Sequence, residues 1–253
     1  MITIKNEEEI ELMRHAGMLV SKTHKYLKPF IKEGITTKEL DKLAEKFMRD
    51  NDGVPTQIGY EGYPCATCIS VNDTVVHGIP TDYKLKNGDI VTIDMVIGYK
   101  GYQGDAAWTY KVGDVDAYKE YLMKHTKAAL YEGVKQVKPG NRIGDISNAV
   151  QTYAESHNLG VVRELCGHGI GTEMHEDPDV PNYGIKGVGP RLKEGMVICI
   201  EPMLTFGKRD IYVLDDGWTI KTQDGKPSAH YEHTILVTKD GYEILTPRLE
   251  EDD

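Results

Sequence analysis

The sequence predicts an α/β (α+β) protein built from two similar halves, and three observations carry that expectation. Two helical segments, 31–53 and 137–160, follow one plan 106 residues apart. Two apolar, β-branched runs, LKNGDIVTID at 85–94 and LKEGMVICIE at 192–201, share Leu-Lys-x-Gly and end on a carboxylate 107 residues apart. The order helix–helix–strands occurs twice.

The elements follow in order. A first helix is expected near 6–28, starting at Asn6 with Glu9 three positions on and stopping before Pro29. In IKEGITTKELDKLAEKFMRDNDG, Thr36 and Glu39 fit a capping box. Leu40, Leu43, Ala44, Phe47 and Met48 form its buried stripe, and Gly53 can stop it. In DIVTIDMVIGYKGYQGDAAWTY, Lys100-Gly101 and the flanking glycines suggest a hairpin. A turn centred on Tyr99-Lys100 would set Asp94 opposite Asp105, and a one-residue slip is expected to put the two on opposite faces. The second half opens with a helix over about 116–136, stopping before Pro139. In VKPGNRIGDISNAVQTYAESHNLG, Gly140 answers Gly34, and Ile146, Ala149, Val150, Tyr153 and Ala154 answer the earlier stripe.

Amphipathic helices resemble one another, so chance similarity is the competing reading. The offset holds through both a helix and a strand, which favours two homologous halves about a pseudo-two-fold axis. Asp94 and Glu201 would then be equivalent. No linker divides the halves, so a single domain over 1–253 is expected, with pseudo-repeats of about 6–112 and 113–247. Only the tail PRLEEDD reads as frayed.

Hydrophobic residues make up 40% and charged residues 28%, as in a soluble globular protein. A net charge of −10 argues against nucleic acid as substrate and against an anionic membrane as partner. No signal-like apolar stretch opens the chain, and no run approaches the about 18 apolar residues that span a bilayer. Cys65, Cys68, Cys166 and Cys199 are too few for a disulfide scaffold, which points to reduced thiols and a cytoplasmic protein.

Asp94, Glu201 and Glu232 (the last in AHYEHTILVT) sit beside β-branched runs, and Asp105 is flanked by Ala106 and, two positions further, Trp108. Directly opposed residues of an antiparallel pair have Cβ atoms about 4.5–5.5 Å apart, so paired aspartates need a cation or a shared proton. Four acids are more than one cation needs and match a two-metal site. Each alone could be a solvated strand end. His168 lies between glycines in CGHGIGTEMHEDP, where a ligand can approach closely, and one imidazole among oxygens suits a borderline metal. A lone histidine is more often a structural hydrogen-bonder; the glycines and the acids shift that balance. His175, seven residues on, and His77 in VVHGIP are further candidates. Cys65-x-x-Cys68 lacks the second pair of a zinc site and the following helix of a redox motif.

The segments NDTVVHGIP, TIDMVIGYKGYQGDAAWTY, GHGIGTEMHEDP, IEPM and YEHTILVT, in this order over nearly the whole chain, resemble those of bacterial type I methionine aminopeptidases. The resemblance implies a pita-bread fold and removal of N-terminal methionine from nascent proteins and peptides with a small, uncharged second residue. Attack on the first peptide bond would come from a hydroxide bridging two metals. It implies five metal ligands, with Asp105 and Glu232 bridging, Asp94 completing one sphere, and His168 with Glu201 completing the other. Glu201 would also shuttle the proton, His77 contact the substrate backbone, and His175 hydrogen-bond the scissile carbonyl or the tetrahedral species. Tyr60, Tyr63, Cys68, Met174 and Trp218 would form the methionine pocket. The implied ions are Co²⁺, Mn²⁺, Fe²⁺ or Zn²⁺, with room for a monovalent cation such as Na⁺ or K⁺. The implied partner is the nascent N-terminal peptide with transient ribosome contact, and the default state is a monomer.

Met174 and Gln57 depart from the Phe and Cys common in relatives, which bears on pocket shape. The 33 positions from His168 to Glu201 leave no room for the helical insertion of type II relatives. Two rivals stand beside this reading. Proline-specific relatives usually carry a large extra N-terminal domain, and non-catalytic binding modules of the same fold have lost ligands that are all present here.

Overall fold

The computed structural model describes residues 1–249. Helix α1 spans Glu7–Leu27 and begins with a reciprocal cap: Asn6 Oδ1 accepts from the Glu9 N–H at 3.0 Å, and the Asn6 N–H donates to the Glu9 carboxylate at 2.7 Å. The expected stop before Pro29 holds for the α-helix, but a 3₁₀ turn, Lys28–Phe30, carries the path through the proline. Proline is tolerated there because the first turn of a helix needs no N–H. Helix α2, Thr37–Asp50, is capped in the same way by Thr36 and Glu39. Its Leu40, Ala44 and Met48 are fully buried, while Leu43 and Phe47 are half-buried at the margin.

Strand β1 is Cys68–Val71, β2 is Ile90–Tyr99 and β3 is Tyr102–Lys111. β2 and β3 form a ten-pair hairpin, turning at Lys100 (φ 48°) and Gly101 (φ 88°). Positive φ at both positions matches the right-handed twist of the flanking strands. The expected register is therefore corrected. Tyr99 pairs with Tyr102, so Asp94 lies opposite Ala107 and Asp105 opposite Val96. Moving the turn centre by one residue shifts the pairing by two, which preserves face parity. The two aspartates are diagonal neighbours on one face, neither directly opposed nor on opposite faces, and diagonal positions are about 7–8 Å apart, within reach of one ion between their side chains.

The second half supplies α3 (Ala117–Val134) and α4 (Ile143–Ser156). A five-stranded sheet follows, built from β4 (Cys166–Gly169), β5 (Glu176–Pro181), β6 (Val197–Ile200), β7 (His233–Val237) and β8 (Tyr242–Ile244), in the order β8-β7-β6-β4-β5. The repeat is visible bond by bond. The Gly34 N–H donates to Leu85 O (2.8 Å) and the Gly140 N–H to Leu192 O (3.1 Å). The Leu85 N–H returns to Ile35 O (2.8 Å) and the Leu192 N–H to Asn141 O (2.7 Å). Gly34 and Gly140 hold nearly the same left-handed φ, 91° and 95°.

β3 joins the halves. Thr234 Oγ1 donates to Asp105 O (2.7 Å) and accepts from the Asp105 N–H (3.0 Å), and the Glu232 N–H donates to Ala107 O (2.8 Å). Behind the seam, α1 lies directly on β3: a Cβ on Gly104 would come within 2.6 Å of the Gly17 nitrogen. The expected frayed tail is also corrected in part. The Arg248 guanidinium lies 4.2 Å over the Trp108 ring and donates to Tyr110 Oη at 2.6 Å, which docks 247–249; positions 250–253 fall outside the described residues. Among the described residues, no helix is long and apolar enough to cross a membrane.

Because the backbone of α1 faces Gly104, Gly104→Ala should destabilise the protein by about 1–3 kcal/mol, the usual range for overpacking. Thermal melts would show a Tm lowered by several degrees; an unchanged Tm would mean that the helix can move away at no cost.

Candidate metal centre

Asp94 and Asp105 face one cleft from β2 and β3. Glu201 directly follows β6 and Glu232 directly precedes β7; these two strands begin their pairing at Ile200↔His233, so both glutamates stand at the same end of the ladder. His168 comes from β4, where a Cβ on Gly167 or Gly169 would strike the neighbouring strand at 2.2 or 2.1 Å. The glycines therefore let the strands close tightly around the histidine.

The ligand-type atoms fall into two tight sets. Asp105, His168, Cys199 and Glu232 form one, and Glu201, His230 and Glu232 the other, each with all its atoms within 4.8 Å of one another. His168 Nε2 lies 3.7 Å from Asp105 Oδ2 and 3.5 Å from Glu201 Oε1. Its Nδ1 is 2.9 Å from Gly169 O, an acceptor, so Nδ1 carries the proton and Nε2 turns a lone pair toward the carboxylates. Burial holds this imidazole neutral, with its pKa lowered to about 3. Asp94 lines the same cleft but belongs to neither set.

The charge balance is one-sided. No lysine or arginine is among the described residues that line the cleft. Burial, reinforced by the neighbouring acids, pushes the Asp105, Glu201 and Glu232 carboxyls well above the ordinary range. Burial raises Asp94 to about 7. Asp105 Oδ1 and Glu232 Oε1 are buried without a hydrogen-bond partner among the described residues. Buried acceptors without donors, in a cluster of acids without a cation, fit divalent metal. Cys199 is drawn in by its position on β6, but burial and the carboxylates push its thiol well above the ordinary range, so it sits there as a neutral neighbour.

The remaining residues proposed from sequence line the walls. His77 follows the strand Thr74–Val76 with φ 56°, and its ring stands edge-on to Trp218, 6.2 Å between centroids. Tyr63 meets the same indole at 5.1 Å. Tyr60 Oη is 2.8 Å from His175 Nδ1, and the His175 ring stands edge-on to His168 at 4.3 Å. Met174 is buried beside it, and Cys68 pairs with Asp94 across β1 and β2. Gln57 Nε2 donates to Cys68 Sγ at 3.5 Å. The four cysteines are free thiols, so Cys65 and Cys68 form no disulfide. One residue escaped the sequence reading: His230, buried in the cleft. Its signal was the i, i+2 spacing from Glu232 in AHYEH, which in an extended chain puts both side chains on one face.

Comparison with known proteins decides the family. Residues 11–239 match the model of metallopeptidase family M24. The chain belongs to metallopeptidase family M24. A methionine aminopeptidase 1 from Bacillus subtilis (strain 168) is 48% identical over 246 residues, which cover 97% of this chain and 99% of that one. The crystal structure of a methionine aminopeptidase from Rickettsia prowazekii superposes with a TM-score of 0.96 at 44% identity, covering 98% and 100%. A prolidase from Pyrococcus horikoshii OT3 superposes at 0.80 with 26% identity; this chain spans 64% of its length. The fold of this M24 metallopeptidase is thus the pita-bread fold, and its carboxylate cluster is suited to divalent metal.

The raised carboxyls set a stability prediction. Asp94 titrates near 3.8 when exposed and at about 7 when folded, so its protonated form favours the fold. That contribution is complete below pH 4 and is lost as pH rises through 7; the other acids extend the loss upward. Chelated protein should therefore melt at lower temperature as pH rises from 5 to 8, and divalent metal should raise Tm most at the upper end. Asp105→Asn should flatten the pH dependence and stabilise the chelated form at pH 8. A chelated wild type whose Tm rises with pH would contradict the charge account.

Proposed function

We propose that this metallopeptidase removes the N-terminal methionine from nascent proteins and peptides whose second residue is small and uncharged. The observation that carries the reading is the acid cluster, with no lysine or arginine beside it among the described residues, at the floor of a cleft whose wall offers a Met, a thiol and two aromatic rings. Two divalent ions are the proposed cofactors, from Co²⁺, Mn²⁺, Fe²⁺ and Zn²⁺, with a monovalent cation such as Na⁺ or K⁺ in addition. Asp105 and Glu232 would bridge the two ions, Asp94 would complete one sphere, and His168 with Glu201 the other. When bound, such ions acidify water and polarise a carbonyl.

The chain's own residues account for the other steps. Tyr63, Cys68, Met174 and Trp218, with Tyr60 at the rim, receive the methionine side chain; a thioether suits soft, polarizable neighbours. His77, half-buried against Trp218, contacts the substrate backbone and fixes its direction. His175, exposed at the cleft mouth, donates to the oxygen that gains charge. Glu201 accepts a proton from the attacking water and delivers it to the leaving amine, a task suited to a carboxyl whose affinity for protons is raised by burial and by Asp105 and Asp94.

Cleavage before proline is the second reading, favoured by the prolidase likeness alone. The 48% identity and matched length of the Bacillus relative outweigh it. A cytoplasmic, monomeric enzyme that touches the ribosome transiently completes the proposal.

Protein stripped with chelator and reloaded with each metal in turn should release methionine from Met-Ala-Ser and leave Xaa-Pro peptides intact; the reverse preference would install the second reading. Asp105→Ala should lose activity even with metal supplied, and near-normal turnover would remove Asp105 from the centre. His175→Ala should lower kcat far more than KM, because an oxyanion contact acts in the transition state; a change confined to KM would make it a binding residue.

A further inference from the structure

His230 stands apart from the other buried histidines. It is 1% exposed, and neither ring nitrogen has a hydrogen-bond partner among the described residues. By contrast, buried His24 bonds Tyr110 and Ala106, His233 bonds Thr246 and Tyr131, and His168 spends Nδ1 on Gly169. Leaving a buried polar group unsatisfied is costly, so a partner from outside the protein is to be expected.

The ring points at one. His230 Nε2 lies 3.6 Å from Glu201 Oε2 and 4.0 Å from Glu232 Oε2. Both separations exceed a hydrogen bond. The first is close to the spacing of donors that share an ion, since two ligand atoms about 2.1 Å from one metal at a tetrahedral angle lie about 3.4 Å apart, and the second corresponds to a wider angle at the metal. His168 shows the same spacing on the other side, with Nε2 3.5 Å from Glu201 Oε1. One carboxylate thus has an imidazole nitrogen facing each of its oxygens.

Building on the metal-centre reading above, we propose that His230 is a sixth protein ligand, binding through Nε2 the ion that it shares with Glu201 and Glu232. The centre then has two imidazoles, which favours Zn²⁺, Co²⁺ or Fe²⁺ over the more oxygen-seeking Mn²⁺.

The test is nuclear magnetic resonance of the full chain with ¹⁵N-labelled histidine, chelated and then titrated with Zn²⁺. Two imidazole Nε2 resonances should move to coordinated shifts, and one of them should vanish in His230→Gln. The same variant should bind Zn²⁺ at least about 10-fold more weakly by calorimetry, the lower end of what even an outer partner of a metal ligand contributes. If only one Nε2 moves and His230→Gln binds both ions as the wild type does, His230 is no ligand. A His230 Nε2 that keeps its proton in the loaded protein would equally overturn the proposal and leave a donor that positions Glu201. No zinc bound by the wild type would instead overturn the metal-centre reading itself. The wild-type spectra decide the matter even if the variant folds poorly.

Discussion

Repulsion among acids held in a dry cleft is the constraint on which the rest of the structure depends. Two unit charges about 4 Å apart interact by about 4 kcal/mol at an effective dielectric of about 20. Asp105 and Glu232 are nearly inaccessible, and Glu201 stands beside them. Such groups would move apart unless the chain kept them in place, and held together they bind protons more tightly than free carboxyls do. Every element around the cleft bears on that requirement, from the glycines beside His168 to the long β2–β3 hairpin.

The restraint acts through the backbone more than through the acids' own side chains. Thr234 clamps the Asp105 peptide from both sides, and the Glu232 N–H is tied to Ala107 O, so two bridging candidates are anchored to each other's strands. α1 presses on β3 at Gly17 and Gly104 and stiffens the same strand from behind. Fixing backbone while leaving carboxylate oxygens unsatisfied keeps the ligands preorganised yet free to bind. It also makes the cluster a source of destabilisation that protons or a bound cation would relieve.

Much of this could be read from the sequence, and the reasons differ by feature. The helices announced themselves through local chemistry: Asn6–Glu9 and Thr36–Glu39 are short-range caps, and the stripes obey a fixed period. The repeat was legible because identical turns recur at identical offsets, as the paired bonds of Gly34 and Gly140 illustrate. The diagonal placing of Asp94 and Asp105 was not, since one residue of turn geometry decides it. His230 was missed for a related reason. Taken singly it resembles any core histidine, and only its empty bonding partners, a three-dimensional property, set it apart. Arg248 lies in a stretch whose sequence looks like a loose end, because nothing local tells of the Trp108 indole that it meets.

The seam between β3 and β7 has a temporal side. A ribosome makes Asp94 and Asp105 early, His168 and Glu201 later, and Glu232 last, together with the Thr234 that clamps Asp105. Until β7 emerges and docks, the growing chain leaves Asp105 on β3 unconfined and lacks one wall of its cleft. A half-made copy therefore has no enclosed centre, and the timing of maturation is written into the order in which the strands are made.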